Sequence, residues 1–81
     1  MIDYNGLNER VKESGMTKAF IAKKLGITRA NLYDKLRGKR MFDSIEISIL
    51  KDILHLDDAT FLKIFFISNV DNLSTKVVVN G

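Results

Sequence analysis

Eighty-one residues, 46% hydrophobic and 28% charged, suffice for one domain with one modest core and leave hardly enough chain for a second domain or a roomy catalytic cleft. With no cysteine there is no disulfide staple or thiolate metal site, and a single histidine, His55, cannot hold zinc alone, so stability has to come from packing. The net charge of +3 hides an asymmetry: residues 1–40 hold ten Lys/Arg against four acids, net +6, and residues 41–81 hold three against six, net −3. Such a split fits a chain with one half facing a polyanion, or a basic solvated face with no partner.

No proline, repeat or low-complexity run divides the chain, so boundaries are read from glycines, capping residues and apolar periodicity. The expectation is an all-α, compact four- to five-helix bundle. A first helix runs from about Tyr4 to Ser14, with Leu7 and Val11 on one face, and ends at Gly15. Thr17 caps a second, in which Ala19, Ala22 and Leu25, with Phe20 and Ile21 beside them, form the buried side before Gly26 stops it. Thr28 caps a third, Arg29 to Arg37, whose Leu32 and Leu36 repeat at i, i+4 before Gly38. A fourth, from about Ser44 to Leu54, sets Ile45, Ile49 and Ile53 in a row broadened by Leu50 and Leu54, and Asp57 caps a fifth over Asp58 to Ile67. Residues 1–67 thus form the expected domain. Residues 68–81 turn to Asn, Asp, Ser and Thr and then to Val77, Val78 and Val79, either a frayed tail or a strand that pairs with a copy from a second chain.

The segment Thr17 to Gly38 carries the main signal. Two helices crossing steeply need a small side chain at their approach, which Ala22 supplies, and a sharp corner at positive φ, which Gly26 supplies. Leu25, Ile27, Leu32 and Leu36 seal the corner from inside. This pattern, with alanine and glycine four apart and an apolar residue six after the glycine, resembles the helix-turn-helix of the Cro and phage-repressor superfamily. The resemblance covers about a quarter of the chain. Gly26-Ile27-Thr28-Arg29 through Leu32-Tyr33 to Leu36 is similar to the turn and recognition helix of small Cro-like phage regulators. It implies a small helical domain that reads operator DNA in the major groove. Lys18 and Arg29 stand where many members carry glutamine, so the glutamine contacts, and with them the operator sequence, do not carry over.

On the third helix Leu32 and Leu36 are expected to face inward, with Arg29, Ala30, Tyr33, Asp34 and Arg37 on the opposite side. Arg29 can reach guanine O6 and N7 with its rigid fork, Ala30 can approach a thymine methyl, and Thr28 and Asn31 can bond base edges or phosphates. Tyr33 can bond a phosphate or rest on the sugar. Asp34 can accept from cytosine N4, but its pairing with Arg37 three residues on is the favoured reading. Thr17 and Lys18, at the N-terminus of the second helix, and Lys39 and Arg40, directly after the third, are expected phosphate contacts.

The partner expected from these residues is a double-stranded DNA operator, bound by a repressor acting as a homodimer. Helix five reads Phe61-Leu62-Lys63-Ile64-Phe65-Phe66-Ile67, apolar on more than one face, so surface from among Phe61, Ile64, Phe65 and Phe66 is expected to join two copies, with Val77 to Val79 as a second contributor. The alternative class is an antirepressor-like interaction module that keeps the fold but binds another regulator. No enzyme is expected, since no paired carboxylates, activated nucleophile or phosphate-cradling glycine loop is present, and no cofactor, metal or small-molecule substrate follows. The chain shows no secretory leader and no apolar run of membrane-spanning length, so a cytoplasmic location is expected.

Overall fold

The computed structural model describes residues 2–66. Five helices form there: α1 (Tyr4–Ser14), α2 (Lys18–Leu25), α3 (Arg29–Leu36), α4 (Ser44–Ile53) and α5 (Asp58–Phe65). None is long and apolar enough to cross a membrane. The expected strand Val77–Val79 and Ile67 at the end of the fifth helix lie outside the described residues. The third and fourth helices each end one residue earlier than the periodicity suggests, with Arg37 and Leu54 as their C-caps.

Every helix begins the same way. The side chains of Asp3, Thr17, Thr28, Asp43 and Asp57 each accept from the backbone N–H three residues on, satisfying one donor that the first turn leaves without a partner. A threonine cap of this kind contributes about 1 kcal/mol. The helix ends are equally regular. At the end of α2, Gly26 takes φ 72° and donates to the Lys23 carbonyl, while Ile27 N–H reaches back to Ala22. This paired closure turns the chain within three residues, and Thr28 at once caps α3. The same closure ends α3 (Gly38 to Lys35, Lys39 to Asp34) and α4 (His55 to Asp52, Leu56 to Lys51).

The core draws on all five helices: Leu7 and Val11, Ile21, Ala22 and Leu25, Leu32 and Leu36, Leu50, and Ile64 and Phe65, with Phe42, Leu54 and Leu56 entering from the connections. α2 packs on α3 and α4, and α1 on α3 and α5. Asp3 N–H donates to the Ile64 carbonyl, tying the start of α1 to the end of α5.

Two inward faces differ from the expected ones. In α2 the buried set is Ile21, Ala22 and Leu25, whereas Ala19 is exposed and Phe20 is 43% exposed. At about 100° per residue, Ile21 and Ala22 fall roughly 40° and 60° from Leu25, but Ala19 falls about 120° away, beyond the arc that neighbouring helices cover. In α4 the isoleucine row is the margin of the buried face and not its centre. Ile45 is 70% exposed, Ile49 and Ile53 are half-buried, and the fully covered positions are Glu46 and Leu50. The centre of the stripe is occupied by a carboxylate, so a reading that follows apolarity drifts one position toward the isoleucines.

Candidate nucleic-acid interface

α2, the three-residue turn and α3 form a helix-turn-helix unit whose outer surface carries most of the residues singled out above. Thr17 Oγ1 accepts from Phe20 N–H and Thr28 Oγ1 from Asn31 N–H, both at 3.1 Å. Each hydroxyl keeps its own proton to donate outward. Along α3, Arg29, Ala30 and Tyr33 are exposed, Asn31 and Asp34 partly buried, and Arg37 exposed at the cap.

Arg29 does not stand opposite the leucines. By helical rotation it shares the side of Leu32 and Leu36, whereas Ala30, Asp34 and Arg37 lie across from them. It is exposed nonetheless: it occupies the first turn, ahead of Leu32, where side chains lean toward the helix N-terminus. Arg29 therefore projects from the tip of α3 and the other reading-face residues from its flank.

The cations are not equivalent. Arg29 and Lys39 enter no ion pair among the described residues. Arg37 Nη2 donates to Asp34 Oδ1 at 2.8 Å, the pairing that the spacing favours, and Arg40 Nε lies 3.7 Å from Asp34 Oδ2. The Arg37 hydrogen bond, with the charges of Lys39 and Arg40 nearby, holds the Asp34 carboxyl below the ordinary aspartate value. Lys18 Nζ lies 5.7 Å from the centre of the Tyr33 ring, within range of a cation–π attraction that spans α2 and α3.

Two contacts that fix α3 were not anticipated. Lys35 Nζ donates to both Glu46 oxygens, at 2.6 and 2.8 Å, with only 13% and 7% of the two side chains exposed. Glu46 Oε1 also accepts from Asp43 N–H, closing a reciprocal cap at the start of α4. One carboxylate thus caps α4 and clamps α3 to it. The signal was present in Asp43-x-x-Glu46, a capping-box spacing, and in Lys35 lying about 60° from Leu32. The second contact is Asn8 Nδ2, which donates to the Leu36 carbonyl at 3.0 Å and so satisfies the end of α3 from α1.

Gly38 holds the far end in place. Its φ is 82°, and a Cβ there would lie 3.1 Å from the Tyr4 ring, so both the backbone and the close approach require glycine. Lys39 and Arg40 are thereby folded back over the last turn of α3, where their N–H groups meet the Asp34 carbonyl at 2.8 and 3.4 Å.

The expected apolar docking surface on helix five is reduced. Ile64 and Phe65 are core residues, because α5 turns that side onto α1, and Phe61 and Phe66 are half-buried. Phe61 meets Phe65 in a tilted arrangement and Phe66 edge to face, with ring centres 5.1 and 5.8 Å apart. Among the described residues the apolar side chains left most exposed are elsewhere, Met41 at 86% and Ile45 at 70%, with Leu62 on α5 half-exposed.

Comparison with models of known protein families, with characterised proteins and with solved structures finds no match to this chain.

Proposed function

We propose that the chain is a sequence-specific DNA-binding repressor of the phage or prophage type, similar to the Cro and phage-repressor superfamily, which binds operator DNA as a homodimer with α3 in the major groove. One observation carries this reading. α3 turns a polar outer face to solvent, with a cation that enters no ion pair among the described residues at each end: Arg29 at the tip and Lys39 just past the last turn.

The roles follow from chemistry. Arg29 reads guanine O6 and N7 at the groove floor, and Ala30 leaves room for a thymine methyl. Asn31 serves base edges from the flank, and Tyr33, beside Lys18, rests on sugar or phosphate. Thr28 and Thr17 donate their free hydroxyl protons to phosphates, Thr17 at the positive end of α2. Lys39 and Arg40 take phosphates on the far side, so the backbone is gripped at both ends of a helix about 12 Å long.

Selection of bound sequences from a random DNA pool tests the proposal. Enrichment of a near-palindromic motif is expected, with half-sites one helical turn apart, about 34 to 36 Å. Failure to enrich any sequence overturns it. A second reading, an antirepressor-like module that binds another regulator through its surface, is favoured by exposed Met41 and Ile45. Duplex affinity that does not fall with added salt would select that reading.

A further inference from the structure

We propose that Asp34 is a specificity-determining residue, an internal counter-anion that holds Arg37 and Arg40 back from backbone phosphates on sequences the protein does not read. The inference rests on the DNA-binding reading above and concerns how that interface discriminates.

The geometry is a carboxylate shared between two guanidinium groups. Asp34 Oδ1 faces Arg37 at 2.8 Å and Oδ2 faces Arg40 at 3.7 Å, so each oxygen has its own cation. The closure at Gly38 enforces the arrangement, because it folds the backbone of residues 39 and 40 over the carbonyl of Asp34 itself. Asp34 is partly buried, whereas both arginines are mostly exposed and open to an incoming phosphate. Of the three cations among residues 37–40, Arg37 and Arg40 share the Asp34 carboxylate in a cluster of net charge +1, and Lys39 stands outside those ion pairs.

Non-specific attraction to DNA is backbone electrostatics: affinity depends on how many phosphates are neutralised, and log K falls by about 0.9 per phosphate for each decade of salt. A guanidinium that must exchange a carboxylate for a phosphate gains little from a duplex that the protein does not read, where no base contact rewards the exchange. On the preferred sequence the balance differs. There the same carboxylate holds Arg37 in one rotamer beside the base-reading residues, and an arginine ordered in advance loses less entropy on docking. Asp34 therefore weakens binding to all DNA but weakens it least on the preferred sequence.

The test compares wild type, Asp34→Asn and Asp52→Asn. The amide in D34N keeps the size of the side chain and the backbone bonds to Lys39 and Arg40 while removing the charge. Asp52 lies exposed on α4, so D52N makes the same change of net charge away from α3. Affinities are measured by fluorescence anisotropy for a random-sequence duplex and for the duplex selected above, across a salt series, with melting curves to establish that each variant is folded. D34N is expected to bind the random duplex roughly 5- to 10-fold more tightly near 0.1 M salt, with a salt slope steeper by about one. Its gain on the selected duplex is smaller, so the ratio between the two falls, and D52N changes neither. Unchanged or weaker binding of D34N to the random duplex overturns the inference, as does a D52N effect of equal size. A wild-type protein that binds no duplex even at low salt overturns the DNA-binding reading and this inference with it; a wild type that binds, beside an unaltered D34N, overturns the inference alone.

Discussion

Replacing Lys35 with methionine keeps most of the side-chain volume but strands the Glu46 carboxylate, whose remaining partner is a single N–H from Asp43. At 2.6 to 2.8 Å the attraction in the intact pair is several kcal/mol, about 6 for an effective dielectric near 20, and taking two ions out of water costs several kcal/mol each. The pair is therefore close to neutral as a whole, whereas removing one partner costs about 3 to 5 kcal/mol. Both side chains are covered, so little solvent screening softens that figure. For a domain of this size such a loss approaches the whole stability of the fold, and each kcal/mol lowers Tm by about 4 to 8 °C. Glu46→Gln is the milder change, because an amide oxygen still accepts from Asp43 and the capping box survives. The double variant K35M/E46Q removes both charges and is expected to recover at least about 2 kcal/mol relative to the sum of the single variants. Urea melts of the four proteins measure the cycle. Additivity within about 0.5 kcal/mol would refute the reasoning, since two groups that do not depend on each other are not a clamp.

Arg29→Ala should cost about 1 to 3 kcal/mol of binding to the selected duplex and relax preference at one base position per half-site, whereas Lys39→Ala should weaken all sequences alike and lower the salt slope by about one; competition assays with single-base variants separate the two. His55 ends α4 at φ 54°, a conformation that strains any residue with a Cβ, so His55→Gly should raise stability by up to about 1 kcal/mol in thermal melts, and a loss would mean that its side chain contributes something the backbone conformation does not reveal. Hydrogen bonds from Thr60, side chain and then backbone, hold the Asp57 carboxyl below its ordinary value, so its stabilising effect is fully present above about pH 4 and is lost as pH falls through the lowered value; Asp57→Asn, which still caps α5, should flatten that part of the acid unfolding curve and leave stability near pH 7 little changed. Met41→Glu with Ile45→Glu alters exposed positions, so melting should shift by less than about 0.5 kcal/mol per site and sedimentation should show self-association unchanged; loss of the dimer would move the contact between copies from helix five to this surface.

What the chain discloses before folding depends on whether the relevant interaction is local. Caps at Thr17, Thr28 and Asp57 and stops at Gly15, Gly26 and Gly38 lie within a turn of the backbone they satisfy, so helix number and order were legible. The inward faces of α2 and α4 were not, for one reason: Ala19 and Ile45 look apolar enough to be buried, and Glu46 looks too polar. Burial of Glu46 follows from Lys35, eleven residues earlier, and no window of one helix contains both. The same logic separates the interface residues. Arg29 and Asp34 could be placed on α3 by counting, and the Arg37–Asp34 pair by its spacing, but that Arg40 also reaches Asp34 depends on Gly38 folding residues 39 and 40 back over the last turn, and that is a property of the closed turn.

The three helix closures built on Gly26, Gly38 and His55 also bear on how fast the native state is reached. Each helix is started and stopped by its own residues, and the connections span three, three, seven and four residues. Search is accordingly short-ranged, with little loop entropy to overcome before helices meet. Domains dominated by such near-neighbour contacts fold in microseconds to milliseconds. The chain has no proline, so peptide-bond isomerisation of the X–Pro kind contributes no slow phase. Stopped-flow mixing should therefore find little left to record at low denaturant, and a concentration-independent phase lasting seconds would refute this account of a short-ranged search.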